Sequence, residues 1–279
     1  GEASSDLMRN FVRDLDMAPT IEDAVDVADA FSSISDTSLQ HLLLSEIRKC
    51  NKSKLCQTLD ALCTSVIQDK NTSPTIEALQ HSFRQLDFNT LRDNEKNVVI
   101  KQYFYGDTDG IQIFNAFINR FNKPGWKITQ KKYWISVTSA NDRVSIYANK
   151  PLDEKNELDL NAQDSLTAHL RAEHITPSII IHRGHSYYAN HTIANIDSSA
   201  KLVLLGSCGG YQKLASVLSH APNAQIIASK QIGKGVINAA LLSQIAETLE
   251  QGQDIHWKDI WKQMNARLKG DAKSSFQDY

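Results

Sequence analysis

The chain reads as an all-α segment followed by a three-layer α/β/α domain on a mostly parallel sheet, and three observations carry that reading. Apolar residues recur at helical spacing from about residue 5 to 88. After the polar stretch Asn89 to Asn97, apolar runs alternate with amphipathic ones, the order expected of successive strand and helix units. Two of those runs, Ile179 to Ile181 and Leu202 to Leu205, have the length and flanking turn residues of strands buried on both faces. The boundary is placed in the polar stretch, giving a helical domain over residues 1–95 and an α/β domain over 96–279.

Within the first segment, Thr20 and Asp23 form a capping-box pattern, followed by Ile21, Ala24, Val25, Ala28 and Phe31 at helical spacing. Asp36 is placed to cap a further helix with Leu39, Leu42, Leu43 and Ile47 on one face. Leu55, Leu59, Leu62 and Val66 make another stripe. Ser73-Pro74 opens a helix with Ile76, Leu79, Phe83 and Leu86 inward. No cluster in this segment carries chemistry, so its stripes are read as packing, and a protein partner is the role left for it.

In the second segment, Val98 to Tyr105 reads as a strand, Gly106 to Gly110 as a turn, and Ile111 to Phe121 as an amphipathic helix. Lys123-Pro124-Gly125 is a turn, Trp126 to Thr138 a strand, and Arg143 to Asn149 its hairpin partner. Asp153 to Gln163 reads as a charged loop and Leu166 to His174 as a short helix. The strand with the histidines follows, then the strand leading to Cys208, a helix over Tyr211 to Leu218, and a strand over Ala224 to Ser229. Val236 to Glu250 is a long helix with Ile237, Ala240, Leu241 and Ile245 inward, and Trp257 to Leu268 a last one burying Trp257, Trp261 and Met264.

Composition excludes several classes. With 279 residues, 41% hydrophobic and 22% charged, the chain is ordinary for a soluble protein with a sizeable core. A net charge of -2 gives no bulk attraction to nucleic acid or an anionic membrane. No apolar run reaches bilayer-spanning length and no signal peptide is visible. With Gly1 in place of Met and an abrupt end at Asp278-Tyr279 the chain reads as trimmed, and its native compartment stays open. Four cysteines are too few for a disulfide framework, and Cys50, Cys56 and Cys63 read as buried helix residues without zinc spacing. Cys208 differs, because it follows an apolar strand and stands among glycines.

The first of these two apolar strands runs into His182-Arg183-Gly184-His185 and the second into Gly206-Ser207-Cys208-Gly209-Gly210. An imidazole and a thiol thus stand at the carboxyl ends of strands, the edge at which open α/β sheets place their sites. A thiol becomes a strong nucleophile only on losing its proton, which a neighbouring imidazole can accept. Backbone N–H groups of Ser186, Cys208 and Gly209, on turns that let a substrate approach, are the candidate donors to an oxyanion. Asp107 and Asp109 are read as helix-cap residues that could also line a pocket, and Arg183, Tyr187, Tyr188, His191 and Lys230 as groove candidates. His182 faces away from its strand neighbour and is expected to support or pack. A His182-His185 metal pair lacks a third ligand, and no phosphate-binding loop is present, so neither metal nor cofactor is implied.

These motifs resemble the caspase-like cysteine peptidases, and among them the bacterial CHAT peptidases, whose signature is a strand ending in His-Gly and a second ending in a small residue and the nucleophilic Cys. The resemblance covers about residues 97 to 269. It implies a caspase-like α/β/α fold, His185 as catalytic histidine, Cys208 as nucleophile, and a peptide or protein substrate. Ser186 stands where the family usually has Gly. The loop Lys230 to Gly235 would be the family's specificity loop, and the pocket under the nucleophile strand is often acidic for basic substrates, a part that Asp107 or Asp109 could play. Two other readings stay open: a catalytically silent caspase-like module acting as an interaction scaffold, and an α/β protein whose Cys208 is merely buried.

Overall fold

The computed structural model describes residues 31, 34, 36–49, 54–67, 84–94 and 97–279. The chain divides into two compact units, Gly1–Arg84 and Gln85–Tyr279. The helices expected over residues 20–31 and 73–83, and Cys50, lie outside the described residues except for Phe31.

In the first unit the described helices are α1 (Thr37–Lys49) and α2 (Lys54–Ile67). Asp36 caps α1 as expected, its Oδ1 accepting from the N–H groups of Ser38 and Leu39 at 2.9 and 3.3 Å. The inward stripe is turned from the expected one. Leu44 and Ile47 are buried with Phe31, Leu59 and Cys63, whereas Leu42 is 37% exposed. Gln40 explains the shift: it occupies the buried line one turn before Leu44, with its amide donating to the Ile34 carbonyl at 3.0 Å. A polar residue on the apolar line hid that line from a reading by hydrophobicity. Across the helix pair, Arg48 Nε meets Asp60 Oδ1 at 3.1 Å, and Thr64 Oγ1 donates to the same oxygen at 2.9 Å. Cys56 is buried as expected but also disulfide-bonded, and burial pushes the Cys63 thiol up to about 12.

The second unit opens with β1 (Gln85–Leu86) and the short helix α3 (Phe88–Leu91). Leu86 is therefore in a strand rather than in the expected helix. It is drawn there by antiparallel pairing with β9 (Ile255–His256), a partner distant in sequence. Leu91 is fully buried and its carbonyl accepts from Ser178 Oγ at 2.6 Å, so these residues pack on the sheet that follows them.

That sheet has seven strands: β2 (Val98–Phe104), β3 (Trp126–Gln130), β4 (Trp134–Ser139), β5 (Val144–Asn149), β6 (Ile179–Arg183), β7 (Leu202–Leu205) and β8 (Gln225–Ala228). Their order is β3-β4-β5-β2-β6-β7-β8. β5, β2, β6, β7 and β8 run parallel to one another, while β3 and β4 form an antiparallel extension on β5. The single strand expected over 126–138 is thus two, split by Lys131, Lys132 and Tyr133. Their turn is closed by the Lys131 N–H on the Trp134 carbonyl at 2.9 Å.

Alternation along β2, β6 and β7 sorts side chains between two cores. Ile100, Phe104, Ile181 and Leu204 face α4 (Thr108–Phe121), α8 (Gly235–Glu250) and α9 (Trp257–Arg267). Tyr103, Tyr105, Ile180 and Val203 face α6 (Ala189–Ala194) and α7 (Leu214–His220). Helices on both faces of a mostly parallel sheet make an α/β fold of three layers. In α9 the buried residues are Ile260 and Met264, with Trp257 and Trp261 half-buried against the core, and α10 (Gly270–Ser275) follows it.

The charged loop expected over 153–163 is a 3₁₀ turn at Glu154–Asn156 and the first half of α5 (Leu158–Ala172). Asp159 and Gln163, which fall within the expected loop, are both buried. Asp159 Oδ2 accepts from the Gly106 N–H at 3.0 Å, and Gln163 Nε2 donates to the Phe104 carbonyl at 3.2 Å. Their partners, the backbone at the end of β2, are invisible from the helix's own sequence. Among the described residues, no helix is long and apolar enough to cross a membrane.

Candidate active site

β6 and β7 are adjacent and parallel, in a register that sets His182 opposite Leu205. The Gly206 N–H extends the ladder by one bond, donating to the His182 carbonyl at 3.0 Å, so the two motifs leave the sheet side by side. Beyond that point both chains turn. His185 is the residue before a 3₁₀ turn over Ser186–Tyr188, and the β7 chain passes through Gly209 at φ 60°, a left-handed conformation that glycine adopts without strain. Gly233 backs this turn so closely that a Cβ there would come within 2.5 Å of the Ser207 carbonyl. Glycine is required at 233 by contact.

His185 and Cys208 line one cleft of about 200 Å³ together with Asp107, Asp109, Ser207 and Asn238. The thiol is exposed. The His185 ring is 44% exposed; its Nε2 lies 3.3 Å from Asp109 Oδ2, and its face stacks on Tyr187 at 5.2 Å between centroids. A carboxylate at this distance orients the imidazole and compensates the charge it acquires on taking a proton. Ser207 Oγ is buried in the same cleft and has no hydrogen-bond partner among the described residues.

His182 has a different position. Its ring is fully buried on the opposite face of β6, with Nδ1 2.7 Å from Thr192 Oγ1 and Nε2 3.2 Å from the His185 carbonyl. Burial lowers it to about 4, so the ring is neutral at physiological pH. With Nε2 carrying the hydrogen, His182 donates to the His185 carbonyl and accepts from Thr192, whose hydroxyl lies 2.8 Å from that of Tyr105. The ring ties the backbone of His185 to the core.

The remaining sequence candidates divide. Asp107 lines the cleft, but its Oδ1 caps α4 by accepting from the Gly110 N–H at 2.6 Å, while its Oδ2 is buried without a partner among the described residues. Asp109 lines the cleft as the partner of His185. Arg183 is buried and also reaches the cleft. Tyr187 is 66% exposed and touches His185 from outside the cleft. Tyr188 stacks on Tyr105 at 4.2 Å between centroids, and its hydroxyl donates to Glu154; neither it nor the exposed His191 lines the cleft.

Three expectations are corrected. The Gly209 N–H donates to the Gln231 carbonyl at 2.7 Å, so it is occupied and cannot serve an oxyanion. Ser186 is exposed at the start of the 3₁₀ turn after His185 and is not among the residues that line the cleft. Lys230 also lies outside, its N–H held by the Asp278 carbonyl at 2.8 Å and its ammonium set over the Tyr211 ring. The Cys208 N–H meets no acceptor among the described residues, and of the donors named from the sequence it alone is left in the cleft.

Asn238 escaped the sequence reading. Its Nδ2 donates to the Gly206 carbonyl at 3.1 Å, and its Oδ1 accepts from the Tyr279 hydroxyl at 2.9 Å. The available signal was an amide one residue after Ile237 in a run of buried apolar positions. Among the described residues, no group of three or more His, Cys, Asp or Glu side chains is arranged to hold a metal ion. The chain matches no protein-family model and no curated protein.

Proposed function

We propose that the chain is a caspase-like cysteine endopeptidase in which Cys208 and His185 hydrolyse a peptide bond through an acyl-enzyme. The observation that supports this most is that β6 and β7 are neighbours and deliver an exposed thiol and an exposed imidazole into one cleft. In this mechanism the Cys208 thiol gives its proton to His185, and sulfur attacks the substrate carbonyl. The Cys208 N–H meets the oxygen as it becomes negative. Imidazolium then protonates the departing amine, and water, deprotonated by the same ring, releases the acyl group. Asp109 keeps the ring oriented through both transfers.

The test is active-site labelling and turnover. An irreversible thiol-directed peptide electrophile is expected to label Cys208 and not Cys63, which is buried. Cys208→Ala should abolish peptide cleavage, and His185→Ala should lower kcat by about 10²-fold or more. Asp109→Asn should lower kcat while leaving KM in place. Full turnover by Cys208→Ala, or a wild-type chain that cleaves nothing and resists labelling, would sink the proposal. A catalytically silent scaffold would then be the reading, and one observation favours it: the Gly209 N–H is already engaged, leaving a thinner oxyanion site than the sequence suggests.

A further inference from the structure

Lys101 puts a charge in the middle of a parallel sheet. It shares with Tyr103 the face of β2 opposite Ile100 and Phe104, and it is 1% exposed. A lysine is almost never buried to this degree unless it is paired. Here no carboxylate among the described residues pairs with it. Its ammonium donates to Thr167 Oγ1 at 2.9 Å and stands 5.0 Å from the centre of the Tyr103 ring. Thr167 in turn donates to the Gln163 carbonyl at 2.9 Å, inside α5. Of the three donors on the ammonium, one has an acceptor. Burial, the largest influence, pulls Lys101 down to about 8; Asp197 and Asp164 act in its favour and Arg171 against it.

Lys101 and Thr167 line a cavity of about 470 Å³. Its other walls come from the last turn of α5, from Thr176 and Pro177 ahead of β6, and from residues 197–199 ahead of β7. β2, β6 and β7 are parallel, so this cavity lies at their amino ends, and it shares no lining residue with the cleft of His185 and Cys208 at the carboxyl ends. Two more charged side chains line it, Arg171 and Asp197, and neither makes a hydrogen bond or ion pair among the described residues. The carbonyls that end α5 are already taken: the Glu173 N–H closes on His169 at 3.0 Å and the Ile175 N–H on Leu170 at 2.9 Å. The charge in the cavity is therefore set by side chains, two cations and one carboxylate, with the exposed hydroxyls of Thr176 and Ser198 beside them.

We propose that this cavity binds a free polar amino acid, its carboxylate on Lys101 and Arg171 and its ammonium on Asp197. The carboxylate supplies the counter-charge that the fold withholds from Lys101, in charge-assisted hydrogen bonds. Asp197 selects a zwitterion over a simple anion, and it opposes any ligand that carries several negative charges. Thr176 and Ser198 offer hydroxyls to a short polar side chain. Nothing in this site depends on Cys208 or His185, so it stands whether or not the chain is a peptidase.

The test is titration of the ¹⁵N-labelled full chain with serine, glutamate, propionate and ethylamine, read by the backbone amide shifts of Thr176, Ser198 and Ser199. Serine and glutamate are expected to give saturable shifts there, with affinities roughly tenfold or more above propionate, which lacks the ammonium, and ethylamine, which lacks the carboxylate. Asp197→Asn should bring serine down to the level of propionate, and Arg171→Gln should weaken both. Lys101→Met should abolish binding and melt no lower than the wild type, because it replaces an unpaired buried charge with an apolar side chain of similar length. If Lys101→Met does not melt cooperatively, Asp197→Asn and Arg171→Gln decide. Propionate or inorganic phosphate binding as tightly as serine overturns the inference and assigns the cavity to a simple anion. Absence of saturable shifts with all four probes also overturns it, leaving Lys101 a buried lysine that reaches water through the cavity.

Discussion

His182 contributes to stability only while it is neutral. An unfolded chain takes up a proton on this ring near the ordinary value of 6.5, whereas the folded protein refuses it until about 4. Across that window the unfolded state binds more protons, so stability declines as pH falls, by up to about 3 kcal/mol. The urea midpoint measured between pH 7 and pH 4 should show this loss, and His182→Gln should flatten it; an unchanged slope in the variant would show that other groups carry the acid sensitivity. The buried position of His182 was legible because alternation along a strand sends His182 and Arg183 to opposite faces. What could not be read was which amides remain open for an oxyanion. Gly209 and Lys230 are tied to Gln231 and Asp278, and such pairing belongs to the folded loop rather than to the residues that make it.

Among the elements, the segment from Ser229 to Gly235 is braced at both ends by the last residues. The Lys230 N–H meets the Asp278 carbonyl at 2.8 Å, and the Lys234 N–H meets the Tyr279 hydroxyl at 3.0 Å. Burial pushes the Tyr279 phenol up to about 12, so it remains a neutral donor to Asn238, which in turn holds the Gly206 carbonyl. Tyr279→Phe removes the acceptor from one partner and the donor from the other, at a cost of about 1–3 kcal/mol. The more diagnostic readout is the labelling rate of Cys208 at saturating electrophile, expected to fall while the affinity of the initial complex holds. Unchanged labelling would confine Tyr279 to a structural role. Strands were legible where apolar runs are short and bounded, as at Ile179 and Leu202. The first half of α5 was missed because Asp159 and Gln163 put polar groups on its buried side, and a periodicity that counts only apolar residues loses the helix there.

At the scale of the whole molecule, the division at residue 84 makes a prediction about truncation. A chain of residues 85–279 should fold cooperatively, since β1, α3 and Leu91 stay with the sheet. A chain starting at residue 96 loses the strand that pairs with β9 and the fully buried Leu91, and should be less stable by about 2 kcal/mol or more. Thermal or urea melts of the two fragments check this, and equal midpoints would show that residues 85–95 are dispensable. The pairing of β1 with β9 also has a meaning in time. A ribosome delivers Gln85 well before Ile255, so a nascent chain holds both motif residues before the clasp between β1 and β9 can close, and Tyr279, which steadies the Lys234 backbone, follows later still. The cleft of His185 and Cys208 is thereby braced only by residues made after both of them.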